Sequence, residues 1–210
     1  AVMLMIAAFG KSAQLPFSTW LPRAMEGPTP ASALFYGAVS IHVGLFLLLR
    51  ISPVLEAAPL ARGLGVAVGV LTAIYASLVA RTNTDAKGAL AHATLGQIGL
   101  ILAEICLGFT TFALFHLVTH ALLRIWQFLR APNTLADTHT FGHHMADQQG
   151  LLGKHFPQAS NWLYAQALNR FRLDDRMDSF LAPALWSAEQ LRRLDEALCK
   201  RLSLKPGDKP

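Results

Sequence analysis

Residues 9–50 read FGKSAQLPFSTWLPRAMEGPTPASALFYGAVSIHVGLFLLLR. Lys11 directly follows the uncharged apolar run of residues 1–10, and Pro16 and three further prolines interrupt the pattern before a second apolar run at residues 31–49. Because proline removes a backbone donor and clashes with the preceding helical turn, Pro16 predicts a break in the first helix. A lysine at the centre of a membrane helix costs about 2.5–3.5 kcal/mol unless it faces protein or a wet cavity. Lys11 is therefore a candidate functional residue.

The composition is that of an integral membrane protein. Of the 210 residues, 53% are hydrophobic and 15% are charged, and the mean hydropathy is +0.37. The net charge of +5 occurs without the interleaving of aromatic and basic residues that nucleic-acid binding favours. Basic residues beside anionic lipid explain it more simply. We expect the lipid bilayer as a partner and no nucleic acid.

Four apolar runs after the broken helix come close to the roughly 20 residues needed to cross a bilayer. They cover residues 31–49, 63–80, 88–109 and 110–129. The predicted fold class is therefore all-α, a polytopic transmembrane helix bundle with one broken helix. The connections on one side of the bundle contain Arg23, Arg81, Lys87 and Arg130, and those on the other side contain only Arg50 and Arg62. By the positive-inside rule the first side is cytoplasmic.

The chain changes character after residue 130. We predict three parts: a transmembrane domain at residues 1–130, a polar loop at 131–161 and an amphipathic helical tail at 162–210, interrupted near Pro183. In the tail, four leucines fall on one face of a helix: Leu191, Leu194, Leu198 and Leu202. Such a helix lies on the membrane surface, against a partner subunit or against its own protein. The sequence leaves these alternatives open.

Ionisable side chains recur inside the predicted helices. His116, His120 and Arg124 are spaced four residues apart, so they lie along one face of the last helix over about 12 Å. The earlier helices contribute Glu104, His92, His42 and Lys11. Histidine can pass a proton by exchanging the nitrogen that holds it, and such groups at membrane depth are typical of proton relays. For any single histidine, a structural hydrogen bond between helices is the alternative.

Metal or haem binding is a different chemistry that the histidines could serve, because paired histidines ligate both. The HLVTH motif at residues 116–120 lacks the glutamate of HExxH, and no spaced ligands accompany His143 and His144. Cys106 and Cys199 form no metal or disulfide motif. We expect no metal and no cofactor, and an absorption spectrum without a Soret band would exclude haem.

Three stretches, in order, resemble a known family. KSAQLPFSTWLPRAMEGPTPASAL (residues 11–34), TDAKGALAHATLGQIG (84–99) and FALFHLVTHALLR (112–124) are similar to signature stretches of the antiporter-like membrane subunits of respiratory complex I and of Mrp-type cation/proton antiporters. The resemblance covers about residues 9–130. Its character is that of the largest such subunit, the one related to mitochondrial subunit 5.

The resemblance implies a proton-conducting half-channel whose central switch is a lysine on a broken helix, a role that falls on Lys11. His116 and His120 match histidines of the family, and His42 stands where some members carry a lysine. The family's usual lysine one turn after His120 is here Arg124. Because arginine stays protonated, we expect Arg124 to set the electric field rather than to carry protons.

Other positions support or depart from the family pattern. Lys87, His92 and Glu104 are expected to support the proton path, whereas Tyr36 stands where the family usually has a histidine. The glutamate that pairs with the lysine in the family lies on an earlier helix that is not among these residues. We therefore expect a C-terminal part of a longer protein or a shortened paralogue.

The first functional hypothesis is a proton-conducting membrane subunit of a complex I-like, NADH:quinone oxidoreductase-type assembly, with a Lys/His relay at Lys11, His42, His116 and His120. Its partners would be other membrane subunits, in a bacterial inner membrane. The chain contains no redox centre motif, so it is left open whether it belongs to an enzyme. The alternatives are a subunit of an Mrp-type cation/proton antiporter, which could move sodium, a subunit of an inorganic-carbon uptake complex, and a non-conducting scaffold paralogue that docks partner subunits.

Overall fold

The computed structural model describes residues 1–25, 32–83, 86–131 and 157–201. The chain forms two compact units, Ala1–Phe171 and Arg172–Pro210. All regular secondary structure in the described ranges is helical, which confirms the predicted all-α membrane bundle. The nine α-helices of these ranges are α1 Val2–Lys11, α2 Trp20–Ala24, α3 Val43–Arg50, α4 Ser52–Glu56, α5 Pro59–Ala80, α6 Ala86–Leu107, α7 Thr110–Arg130, α8 Pro157–Leu168 and α9 Leu173–Arg201.

Three helices of the described chain, α5, α6 and α7, are long and apolar enough to cross a membrane. They contain 22, 22 and 21 residues, which at 1.5 Å per residue matches a hydrocarbon core of about 30 Å. Helix α5 begins four residues before the predicted boundary because Pro59 is tolerated in a first helical turn. Gly108, with φ of +98°, follows the end of α6 in the left-handed conformation that glycine adopts most readily.

The apolar run at residues 31–49 differs from the regular helix that its composition predicts. A π-helix covers Ser32–Val39, a 3₁₀ turn covers Ser40–His42, and only α3 is regular. The irregular segment is in tertiary contact with the residue after α1: the Ser12 hydroxyl donates to the Ile41 carbonyl at 2.7 Å. Short π and 3₁₀ segments within a helix frequently mark functional regions.

The predicted break near Pro16 lies between the end of α1 at Lys11 and a 3₁₀ turn at Phe17–Thr19. Side chains bond the backbone groups that a helix would otherwise satisfy. The Trp20 indole donates to the Gly10 carbonyl at 3.1 Å, and the Leu15 amide donates to the Thr72 hydroxyl at 3.1 Å. The break is thus tied to both α2 and α5.

Helices α5 and α6 pack through glycine. A Cβ added at Gly69 would lie 2.6 Å from the Gly99 carbonyl oxygen, and one added at Gly99 would lie 2.5 Å from the Gly69 carbonyl oxygen. The two backbones therefore approach closely enough that no larger residue fits at either position.

Helix α8 is the last α-helix of the first unit, and α9 lies in the second unit. Within the first unit, the ring centroids of Tyr75 and Phe171 lie 5.9 Å apart. Helix α8 begins inside the segment predicted as a loop, most of which lies outside the described residues. Helix α9 continues through Pro183, where the sequence predicts an interruption. The division into three parts stays a prediction.

Helix α9 exposes large apolar side chains, Phe180, Trp186, Leu191 and Leu194. The side chains of Leu198 and Leu202 lie outside the described residues. On its polar surface, hydrogen bonds from Arg192 and Arg193 lower the pKa of Glu189. These exposed ion pairs contribute little to stability. Burial of the apolar side chains would contribute more to the stability of this helix.

Candidate functional site

The polar face of α7 is directed into the first unit. His120 is 5% exposed and Arg124 is 7% exposed, whereas His116 is half-buried. The structure thus places the three residues at four-residue spacing on one face, as their spacing predicts. A nearly buried guanidinium within a membrane helix costs about 2.5–3.5 kcal/mol on insertion scales before any compensating contact.

His120 contacts His42 across the helix interface. Nε2 of His42 lies 3.0 Å from Nδ1 of His120, and the ring centroids are 5.3 Å apart. His42 is 4% exposed and ends the 3₁₀ turn at Ser40–His42. This irregular turn therefore brings a residue from the second apolar run against the middle of α7.

Hydrogen-bond directions determine which nitrogens carry protons. Nε of Arg124 donates to Nε2 of His120 at 3.0 Å, so that Nε2 is an acceptor without a proton. Neutral His120 must then carry its proton on Nδ1, which donates to Nε2 of His42. His42 is in turn left with its proton on Nδ1. Arg124 thus aligns one chain of donors through both imidazoles.

Arg124 and His116 have different polar partners. Nη1 of Arg124 donates to Oε1 of Gln127 at 2.6 Å, but within the described ranges no carboxylate lies at ion-pair distance from Arg124. Nδ1 of His116 instead donates to both carboxylate oxygens of Glu104, at 2.9 and 3.0 Å. This bond between α6 and α7 leaves Nε2 of His116 available to another group.

A cavity of about 270 Å³ lies beside this network and is lined by Gln97, His116, Thr119, His120, Leu123 and Arg124. The rings of His116 and His120 are 6.2 Å apart, and no hydrogen bond joins them directly. A water occupies roughly 30 Å³ of liquid volume, so the cavity can hold waters that bridge the two rings.

Lys11 is not brought into contact with the histidines. It is exposed at the end of α1, and in the part of the chain that the structure describes it makes no ion pair. Its neighbour Ser12 donates a 2.7 Å hydrogen bond to Ile41, the residue before His42. Lys11 and His42 are therefore each next in sequence to one partner of this bond. In the helix break after Lys11, the buried Oε1 of Gln14 and Oγ of Ser18 have no hydrogen-bond partner among the residues that the structure describes.

The predicted supporting residues divide into two groups. Glu104 and Arg124 join the network, whereas His92 is buried elsewhere, with its Nδ1 2.9 Å from both the Gly88 carbonyl and the Asn83 amide. Lys87 is half-buried near the start of α6. Gln97 and Thr119 were not predicted, although an amide inside the apolar run of α6 was a visible signal. Among the described residues, no group of three or more His, Cys, Asp or Glu side chains is placed to hold a metal ion.

The fold and the site define a polytopic α-helical membrane protein with a buried histidine and arginine network between its helices. Residues 1–169 match the family described as NADH:quinone oxidoreductase/Mrp antiporter, transmembrane. The chain belongs to this family, as its three signature stretches predict.

Individual relatives agree. The chain is 44% identical over 139 residues to NADH-quinone oxidoreductase subunit L of Rhodobacter capsulatus, covering 66% of this chain and 20% of that protein. It is 41% identical over 150 residues to NADH-ubiquinone oxidoreductase chain 5 of Metridium senile, covering 71% of this chain and 24% of that one. The solved Mrp complex from Dietzia sp. DQ12-45-1b is 37% identical with a TM-score of 0.59, over 61% of this chain and 14% of that chain. The chain thus spans a fifth to a quarter of the length of these curated relatives.

Proposed function

We propose that the chain forms part of a proton-conducting membrane subunit of a complex I-like, NADH:quinone oxidoreductase-type assembly, working beside other membrane subunits in a bacterial inner membrane. The observation that carries this proposal is the buried 3.0 Å contact between Nε2 of His42 and Nδ1 of His120. Two imidazoles in line form a path along which a proton can hop. The relatives named as oxidoreductase subunits support the type of assembly.

The proton balance of the hop follows from the bond directions. A proton that binds Nε2 of His120 allows the Nδ1 proton of the same ring to pass to Nε2 of His42, and the Nδ1 proton of His42 then leaves. One proton enters and one leaves, and the rings must return to their first tautomers before the next hop. His116, whose Nδ1 proton is held by Glu104, would first take up a proton at Nε2 and then release it through waters in the cavity to His120.

Arg124 controls entry to this path. Its Nε–H donates to the lone pair of His120 Nε2 at 3.0 Å. His120 can therefore accept a proton there only after the guanidinium has moved. The same contact favours a second function, the non-conducting scaffold subunit, in which Arg124 never leaves. An Mrp-type antiporter is the alternative within the transport class, and a sodium dependence of the flux would favour it.

The test is proton flux by the assembled complex in liposomes that contain a pH-sensitive dye. His42→Gln and His120→Gln keep a hydrogen-bonding side chain but cannot relay a proton, so we expect each to lower the flux roughly tenfold or more. His92→Gln is the matched control, because His92 is equally buried but bonds to Gly88 and Asn83. Flux that survives both substitutions in an intact complex would favour the scaffold function. Lys11→Ala tests the lysine separately, and an unchanged flux would remove Lys11 from the path.

A further inference from the structure

Arg124 carries a positive charge that no acidic side chain in the described part of the chain balances. It is 7% exposed, its Nε and Nη1 donate to the neutral acceptors His120 and Gln127, and no described carboxylate pairs with it. The nearest acidic group on the neighbouring helix, Glu104, is already bonded through both oxygens to His116. A buried charge of this kind is normally compensated by an opposite charge.

The cavity beside Arg124 has the lining that an anionic group requires. Besides the guanidinium, it is lined by the amide of Gln97, which has no hydrogen-bond partner among the described residues. The Thr119 hydroxyl donates to backbone carbonyls of its own helix, so it contributes an acceptor rather than a donor. Arg124 and Gln97 therefore present unused donors from α7 and α6 to one space of about 270 Å³.

The cavity beside Arg124 cannot open to lipid, because a guanidinium and an unpaired amide are costly to expose to hydrocarbon. Apolar side chains such as Phe115, Val118 and Leu122 occupy other exposed positions of α7 and suit lipid or a neighbouring helix. A protein segment must cover the polar part, and the relatives are four to five times longer than the region matched here.

We infer that the Arg124 cavity binds a carboxylate side chain, Asp or Glu, from a membrane helix outside this chain. The guanidinium matches a carboxylate in a forked geometry, and the Gln97 amide supplies a further donor. The carboxylate competes with His120 for Arg124, so its approach would draw the guanidinium away from Nε2 of the imidazole. The membrane environment requires this counter-ion whether or not the histidines carry protons.

Carbodiimide coupling in the full-length protein in its native membrane tests the inference. Arg124→Lys keeps the charge and introduces an amine. Dicyclohexylcarbodiimide, which enters membranes, activates a neighbouring carboxyl, and attack by the amine then forms an amide with release of dicyclohexylurea. We expect peptide mass spectrometry to detect an amide from position 124 to an Asp or Glu outside residues 1–210, in roughly tenfold excess over the background coupling of a distant amine.

Two further variants make the result decisive. Arg130→Lys carries the same amine at the exposed end of α7, where Arg130 stacks on Trp126, and measures background coupling. Gln97→Lys reaches the cavity from α6 with Arg124 intact, so it should couple to the same carboxylate even if Arg124→Lys fails to fold. Coupling of both cavity variants only to acidic residues within residues 1–210, such as Glu104, would overturn the inference. Coupling no stronger than in Arg130→Lys would overturn it as well.

Discussion

At the scale of single residues, Arg124 sets which ring nitrogens of His120 and His42 carry protons. A guanidinium Nε–H only donates, so its 3.0 Å bond to His120 assigns the tautomer of His120 and, through the next bond, that of His42. The spacing of His116, His120 and Arg124 indicated a shared face, but the identity of the partner on the other helix could not be read from it. His42 lies 78 residues from His120, and only the folded chain brings them together.

Arg124→Met should allow His42 and His120 to adopt either tautomer. Methionine fills similar space without an N–H donor, so the pair can then be bonded in either direction. A hydrogen bond from a charged donor is worth about 1.5–3 kcal/mol, enough to hold one tautomer at tenfold excess or more. We expect ¹⁵N nuclear magnetic resonance to detect Nδ1–H forms of His42 and His120 in the unmodified protein and both tautomers in the variant.

Arg130→Met is the control for this prediction, because Arg130 stacks on Trp126 with its guanidinium carbon 4.5 Å from the ring centroid. A spectrum of Arg124→Met that retains only the Nδ1–H forms would contradict the assignment of Arg124 as the group that aligns the chain.

At the scale of elements, glycines set the spacing of the bundle. Gly69 and Gly99 allow α5 and α6 to touch backbone to backbone, and Gly44 places α3 against Ser12 and the carbonyl of Ala8. This second contact lies next to the Ser12–Ile41 bond and the 3₁₀ turn that carries His42. The position of the histidine pair therefore depends on small residues that have no polar chemistry of their own.

Gly69→Ala should destabilise the bundle, because its Cβ would lie 2.6 Å from the Gly99 carbonyl oxygen and the helices would have to separate. We expect a loss of roughly 1–3 kcal/mol in the free energy of unfolding, measured by denaturant titration in detergent. Gly63→Ala on the same helix has no atom within 4 Å of its Cβ. It should be neutral or stabilising by about 0.5–1 kcal/mol, since alanine favours a helix. Equal effects of the two substitutions would argue against backbone contact at Gly69.

At the scale of the whole molecule, the three long helices follow one another through short connections, so successive connections lie on opposite sides of the membrane. The charges of these connections predict that the side carrying Arg81 is cytoplasmic. The composition of α5, α6 and α7 was sufficient to predict that they span, because about 20 apolar residues have no other favourable environment.

Cysteine labelling tests this orientation. In a background with Cys106 and Cys199 replaced by serine, Arg81→Cys should react with a membrane-impermeant maleimide only from the cytoplasmic side. Arg50→Cys, exposed at the end of α3, should react only from the opposite side. Labelling of both positions from one side would refute the predicted topology, and the reverse pattern would invert it.

The amino-acid sequence was sufficient for the helical membrane class, the family and the polar face of α7, because hydropathy, spacing and motifs are local properties of the chain. Contacts between distant segments required the fold. The irregular turn at His42, the bond from Ser12 to Ile41 and the pairing of Glu104 with His116 depend on how helices approach one another. That Arg124 has no counter-ion among the described residues depends on the fold in the same way, because a counter-ion is a neighbour in space and not in sequence.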